Sequence, residues 1–543
     1  MAHGGRKRGI DHLDHVSAYP SGMAVAATGE LRVVNPATLE LVGTVRATDP
    51  SAVQELVSEA KLAQEAWGET PLAGRRDLLV RAAETVLECA DEIADTVVAE
   101  TGKPRVEAFT TELFPALDAL VWLAKQAPKL LAPERARYPQ LHLKHKRASI
   151  HYEPVGVVGV ISPWNFPFAI PFTQVAYALA AGNAVVLKPS ELTPLSGALV
   201  ATIFARAGAP VRLAQGDGAV GEALVEARGL GKVIFTGSAE VGRLVAASAG
   251  RRLVPVTLEL GGKDPMIVFD DADLARAVDG ALWGSFMNCG QVCSGVERIY
   301  VQSPLYEPFV EELARKARTL DLGPLISEEQ RQKVAGLVDD AVSRGARALT
   351  GAHAPERTGW FYDATVLVDV PRDARIEQDE TFGPVVTVTR VANDAQAIRA
   401  ANDSAFALGA SVWTRDAERA QRTAHRLRAG TVWHNDHAYS YASSQATWGG
   451  RGESGFGRTH SKHGLYDLTS PKFVDRDSGR LRVPWWFPYD DGAADAFRGV
   501  LGALYADGLP ARARAAWRER RALLALAKRY GRVGSAESPK ERT

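Results

Sequence analysis

The chain has 543 residues, enough for about two to four domains at roughly 100–200 residues each, and its 46% hydrophobic and 24% charged residues are ordinary for a globular protein with several cores. Its 64 basic and 64 acidic residues cancel, which argues against a general nucleic-acid role, because such proteins usually carry a basic surface. Three cysteines cannot form a disulfide framework and fit a reducing compartment.

Residues 1–28 are polar and rich in Gly and His, and read as a loose arm. The opening MAHGGRKRGIDHLDH has no apolar stretch behind its basic residues, so no secretory signal is expected. No run of ~18 apolar residues predicts a membrane span. From residue 51 to about 130, apolar residues recur three and four apart, which predicts helices. The stretch RARYPQLHLKHKRASIHYEP (135–154) alternates loosely and predicts two short strands.

Short Val-rich runs follow: VGVVGVI (155–161), NAVVLK (183–188), VRLAQG (211–216), KVIFTG (232–237) and VPVTLEL (254–260). Helix-like stretches separate them. Alternating strand and helix, with continuously apolar strands, implies a parallel sheet covered on both faces. A second series comprises PMIVFD (265–270), VERIYVQ (296–302), ATVLVDV (364–370), PVVTVTRV (384–391), ASVWTR (410–415) and GTVWHN (430–435), which suggests two α/β units. After about residue 475 comes a polar linker, then the aromatic WWFPYDD. GLPARARAAWRERRALLALAKRYGR (508–532) predicts one basic helix with eight Lys/Arg against one Glu, and GSAESPKERT a disordered end.

Several segments carry chemistry. FMNCGQVCSG (286–295) holds Cys289 and Cys293 beside small residues that allow a tight backbone. A nucleophilic cysteine needs access to substrate, a lowered pKa or a nearby base, and an oxyanion hole. A buried core cysteine and a regulatory disulfide remain open readings. A metal clip is disfavoured, because no second cysteine pair completes a tetrahedral shell. In LELGGKDP (258–265), Glu259 ends an apolar strand, where burial would raise its pKa into the range of a general base; an ion pair is the plain alternative. In GVISPWNFPF (159–168), Asn165 could donate to an oxyanion, or simply make a turn.

FTGSAEVG (235–242) puts Gly237 and Gly242 at a strand-to-helix junction able to hold a phosphate. Arg243-Leu244 follows rather than Lys-Ser/Thr, which excludes a P-loop, and no GxGxxG fingerprint follows a strand. In LKPSELTP (187–194), Lys188 and Glu191 suit either a dinucleotide ribose or a surface ion pair. HNDH (434–437) lacks a supporting cluster, so no metal site is expected.

The ordered set PWNFP, LKPSELTP, FTGSAEVG, LELGGKDP, CGQVCSG and ETFGPV (380–385) resembles the aldehyde dehydrogenase superfamily, from about residue 30 to residue 474. The resemblance implies that Cys293, two after the Gln of GQxC, is the nucleophile, with Cys289 only a neighbour. Asn165 and the Cys293 backbone N–H would stabilise the oxyanion, and Glu259 would activate the deacylating water. Ile161, Trp164, Lys188, Glu191, Gly237, Ser238, Gly242, Glu380 and Phe382 would bind the cofactor, with Glu191 favouring NAD over NADP. The implied fold is α/β: a Rossmann-type cofactor domain (29–135 and 155–261), a catalytic domain (262–464), and a small β oligomerisation element (136–154 and 465–476). A C-terminal extension (477–543) follows. A cytoplasmic homodimer or homotetramer acting on a small-molecule aldehyde is implied.

Departures from the family pattern bear on substrate. Succinic semialdehyde members often carry Arg eight residues after the catalytic Asn, and betaine aldehyde members an aromatic; here Thr173 stands there. Phe166, Phe168, Ile170 and Phe172 predict an apolar approach for an aliphatic or aromatic aldehyde. The late GGRGESGFGRTHSKHGL is rich in charge and His, in a region that lines the substrate entrance in the family. A CoA-acylating or succinic semialdehyde-type enzyme is the alternative; Glu259 argues against acylation of CoA. The tail either packs on the protein or makes a peripheral membrane contact, aromatics at the interface and basic residues on anionic lipid.

Overall fold

The computed structural model describes residues 29–138, 143, 145–477, 485–487 and 492–531. The arm 1–28 and the end 534–543 expected from the sequence lie outside the described residues. The chain forms two compact units, Met1–Ala132 with Tyr152–Ser470, and Pro133–His151 with Pro471–Thr543.

The first unit contains two larger sheets. One runs Gly455–Phe456, Val256–Glu259, Leu230–Thr236, Val157–Ile161, Ala184–Lys188, Val211–Leu213. All its pairs are parallel except that of Gly455–Phe456 with Val256–Glu259. The other runs Arg347–Thr350, Thr365–Val368, Val385–Val391, Val296–Gln302, Asp264–Val268, Gly409–Trp413, Thr431–His434, with only the first pair antiparallel. Val157–Ile161, Ala184–Lys188 and Val296–Gln302 are buried throughout, because helices cover both faces. The helix Ala169–Ala180 is also wholly buried and has no polar face.

Side chains start the helices as their sequences suggest. Ser238, Asp273, Ser327 and Asn393 each accept a bond from a first-turn N–H. The helical region before residue 131 resolves into Val53–Gly68, Leu72–Glu88, Ala90–Thr101 and Phe114–Leu130, the last preceded by a π-helical turn, Ala108–Leu113.

Val157–Ile161 has the next strands in sequence on one side and the later Leu230–Thr236 on the other. The order therefore reverses there, which opens a crevice at the carboxyl ends of these strands, where α/β sheets bind ligands.

In the second unit the two strands expected in 135–154 are Glu134–Ala136 and Arg147–Pro154, paired antiparallel; residues 139–142 and 144 lie outside the described residues. Lys146 Nζ and the Tyr138 hydroxyl both donate to the Asp475 carboxylate, at 2.6 and 3.1 Å. The single basic helix expected over 508–532 is instead two, Leu509–Arg518 and Arg520–Gly531. Glu519, at φ −98° and ψ 16°, breaks it. A further helix, Ala493–Tyr505, precedes them.

Candidate active site

Asn165 lies in the turn after Val157–Ile161 and is buried. Its carbonyl accepts from Lys103 Nζ at 2.9 Å and from Asn288 Nδ2 at 3.0 Å. Its own amide donates to the Gln291 carbonyl at 3.0 Å, which leaves one amide proton uncommitted. Lys103 is paired with Glu112 at 2.7 Å, both fully buried. The other oxygen of Glu112 accepts from the N–H groups of Phe168 and Ala169, at 3.1 and 2.7 Å. A carboxylate there satisfies the start of the helix Ala169–Ala180 and meets the positive end of its dipole. Glu112 belongs to the π-helical turn, a distortion common at functional sites.

The cysteine loop is strained before it reaches Cys293. Asn288, Cys289 and Gly290 have φ of 51°, 56° and 70°. A Cβ at Gly290 would lie 2.1 Å from the Gly383 carbonyl oxygen, so only glycine fits. Glu107 holds the turn by accepting from the Asn288 N–H at 2.9 Å. Cys289 points into a hydrophobic cluster with Leu325, Val334 and Leu337, where burial pushes its pKa far up. Cys293 instead lines two sizeable cavities and a small third one. His437 Nε2 donates to the Ser294 carbonyl at 2.6 Å and so steadies the peptide beyond it.

Cys293 is not acidified at rest. Burial holds its thiol pKa well above the usual range, and the nearby carboxyl groups of Asp264, Glu259 and Glu380 push the same way. Glu259 ends the strand Val256–Glu259, and neither of its buried oxygens has a hydrogen-bond partner of normal geometry. Burial raises its pKa to about 8, with Arg458 pulling the other way, the Asp467 charge adding to the rise and the nearby Thr459 hydroxyl lowering it. The ion pair considered as an alternative does not form.

One cavity, of about 210 Å3, lies at the carboxyl ends of the six-stranded sheet. Trp164, Asn165, Gly237, Ser238, Glu259, Glu380, Phe382 and Cys293 line it, with Gln330 and Lys333. Glu380 accepts from the Gly262 N–H at 2.8 Å, and burial raises its pKa to about 7. A Cβ at Gly262 would lie 2.1 Å from the Cys293 carbonyl oxygen, so this glycine lets the two loops meet. The ring of Phe382, at φ 53°, stands edge-on to Trp164 with centroids 5.4 Å apart. Gln330 Nε2 holds the Phe382 carbonyl at 2.8 Å. Ile161, Lys188, Glu191 and Gly242 are not in this lining. Ile161 and Lys188 are partners in register, Lys188 pairs with Glu191 at 3.3 Å, and Gly242 packs against Leu260.

The other cavity, of about 240 Å3, is lined by Phe166, Ile170, Trp283, Met287, Tyr439, Tyr441 and Trp448, with Thr110, Thr111, Asp436 and His437. Among the described residues, Asp436 is the one Asp, Glu, Lys or Arg in this lining. The sequence expectation was right for Phe166 and Ile170 only. Phe168 and Phe172 stack on each other in the core, and Thr173 is buried away from this lining. His434 and His437 of HNDH each bond a main-chain carbonyl. Sequence reasoning missed Lys103, Glu107, Glu112 and the aromatic wall from 439 to 448. The only local signals were the Gly-Lys-Pro after a helix at 102–104 and the Trp before Gly449-Gly450.

A cysteine set between an apolar cavity and a polar one at a strand-order reversal, with a buried carboxylate and an amide beside it, defines an α/β oxidoreductase of thiol chemistry. Residues 24–474 match the aldehyde dehydrogenase family, and the chain belongs to that family and is an oxidoreductase acting on aldehydes. It is 37% identical to a 4,4'-diapolycopene aldehyde oxidase of Methylomonas sp., over 88% of this chain and 92% of that one. It is 35% identical to a betaine aldehyde dehydrogenase of Bacillus subtilis, over 84% and 95%. An aldehyde dehydrogenase from Bacillus cereus solved as its NAD+ complex superposes with a TM-score of 0.79 at 33% identity, covering 83% of this chain and 93% of that one.

Proposed function

We propose that the protein oxidises an apolar aldehyde to its carboxylic acid with NAD, with Cys293 as nucleophile and water as the final acyl acceptor. The observation that carries this is the placement of Cys293 on the walls of both cavities.

The polar cavity fits a dinucleotide. Ser238 starts the helix Ala239–Gly250 and, with Gly237, offers a pyrophosphate the helix N-terminus. Glu380 is an acceptor for ribose hydroxyls, and Trp164 and Phe382 give flat apolar walls. Lys188 and Glu191 would hold the adenosine ribose beyond this cavity, at the end of Ala184–Lys188 beside Ile161, with Glu191 opposing a 2′-phosphate. Gly242 supports this end by letting its helix pack on Leu260. Relatives point to both cofactors: one solved structure holds NAD+, and one relative is named for NADP(+). NAD, when bound, supplies the hydride acceptor.

The protein's own residues do the rest. The Cys293 sulfur bonds to the aldehyde carbon as its proton passes through cavity water to the carbonyl oxygen, giving a thiohemiacetal. The free Asn165 amide proton and the Cys293 N–H donate to its oxygen. Once the hydride has left, a thioester remains on Cys293. Glu259 takes a proton from water, whose oxygen displaces the sulfur and releases the acid. Glu259 supports hydrolysis over transfer to CoA. In this reading the six-stranded sheet belongs to the cofactor domain and the seven-stranded one to the catalytic domain. Outside the site, the reading includes a cytoplasmic homodimer or homotetramer and a peripheral membrane contact by the C-terminal extension.

The apolar lining selects the substrate. Among the described residues no Lys or Arg lines the larger cavity, so a second carboxylate, as in succinic semialdehyde, finds no partner there. The test is NADH formation across decanal, cinnamaldehyde, succinic semialdehyde and betaine aldehyde. The expected order in kcat/KM places decanal and cinnamaldehyde first. Succinic semialdehyde in first place would refute the apolar assignment.

A further inference from the structure

We infer that the helices Ala493–Tyr505, Leu509–Arg518 and Arg520–Gly531 form a docking module for an anionic lipid bilayer surface. This rests on the peripheral contact proposed above and is independent of the dehydrogenase chemistry.

The packing of these helices uses their small residues. A Cβ at Gly499 would lie 2.5 Å from Glu519 Cβ, and one at Gly502 would lie 2.5 Å from Ala515 Cβ. Among the described residues of the module, Ala493 and Ala496 are the buried apolar side chains. The large apolar side chains therefore stay outside: Leu501, Leu504, Tyr505, Leu509, Trp517 and Leu524 are between 40% and 81% exposed. Single exposed apolar residues are ordinary, but six large ones between residues 501 and 524 leave this module with much apolar surface to cover.

Charge says what covers it. The chain as a whole is neutral, yet residues 493–531 carry eight Lys/Arg against three acidic residues, Asp495, Asp507 and Glu519. Arg514, Arg521 and Lys528 are exposed, and the Arg520 guanidinium sits 4.3 Å from the centre of the Trp517 ring. Large apolar and aromatic side chains among basic ones are the composition of a helix lying at an anionic headgroup boundary. A second copy of the same face would bring like charges together, which disfavours self-association. The helices have 13, 10 and 12 residues, about 15–20 Å each, too short to cross a bilayer of about 30 Å.

The test uses the full-length protein in vesicle sedimentation, with phosphatidylcholine alone or with phosphatidylglycerol at about a third of the lipid. Two variants are compared with the wild type: Arg514→Glu/Arg521→Glu/Lys528→Glu, and Leu501→Asn/Leu504→Asn/Trp517→Gln. Wild type should pellet with the anionic vesicles only, and high salt should release it. The charge variant should bind on the order of 100-fold more weakly, at about fivefold for each of the three basic residues lost near the surface. The apolar variant should also lose binding, with its particle mass in light scattering unchanged. No binding to anionic vesicles would overturn the inference, as would equal binding to both lipids or a halved mass of the apolar variant. Dehydrogenase activity, read on the same samples, separates the two proposals: an active protein that ignores vesicles refutes only the docking module, and an inactive one that binds them refutes only the enzymatic reading.

Discussion

Glu259 and Cys293 share the wall of a small cavity of about 20 Å3, room for about one water molecule. Both Glu259 oxygens are buried without hydrogen-bond partners, so a water there would be held by the carboxylate that is to deprotonate it. The two groups also oppose each other's ionisation, since the Glu259 charge helps to keep the thiol pKa up.

Glu259→Gln should therefore separate the two halves of the reaction. The water loses its base, and steady-state turnover should fall about 100-fold or more. The thiol loses one opposing charge, so acylation should persist. Mass spectrometry should find the acyl adduct accumulating on Cys293; an unmodified enzyme under turnover would contradict the assignment of Glu259 to deacylation.

Stability should fall as pH rises from about 5 to 8. Glu259 moves from 4.5 to about 8 on folding, and Asp264 from 3.8 to about 8. Below the unfolded values both states hold these protons. Between the two values the native state alone holds them, so each unit of pH favours unfolding until the native groups ionise. Melting temperatures between pH 5 and 9 should show this decline. It should be shallower in Glu259→Gln, which has one such group fewer.

Lys103→Met should leave the Glu112 carboxylate buried without its cation, at a cost of about 3–5 kcal/mol. The loss should exceed that of the pair Lys103→Met/Glu112→Gln, in which no charge is stranded. Denaturant midpoints measure the stability change. Because Lys103 also holds the Asn165 carbonyl, kcat in the surviving Lys103→Met enzyme should drop more than KM rises.

Glu191→Thr should raise the kcat/KM for NADP relative to NAD by about tenfold or more, by removing the carboxylate that opposes a 2′-phosphate. Steady-state kinetics with both cofactors gives the ratio. An unchanged ratio would place the ribose elsewhere.

Much of this was legible in the sequence where burial leaves a simple pattern. Strands such as Val157–Ile161 and Val296–Gln302 are covered on both faces, and so they read as continuous apolar runs. The hairpin of Glu30–Val34 and Leu41–Arg46 was not seen, since the second strand has no buried residue and the turn holds Leu39 at φ 62°. Arg347–Thr350 is a half-exposed edge strand and gives little signal. Cys293, Glu259 and Asn165 stood out because each sits in a Gly- or Pro-marked turn. Lys103 and Glu112 did not, because nine residues and a π-helical turn separate them, and neither spacing nor periodicity predicts a pair across such a distortion. Glu519, where the helix breaks, packs against Gly499, a contact the local sequence does not reveal.

The most direct test compares NADH formation from decanal and NAD by the wild type, Cys293→Ala and Cys289→Ala. Cys293→Ala should lose at least about 1,000-fold in turnover, while Cys289→Ala should keep activity of wild-type order, with some loss of stability from its emptied core position. Turnover retained in Cys293→Ala, or lost in Cys289→Ala with the fold intact, would contradict the placing of the chemistry on Cys293.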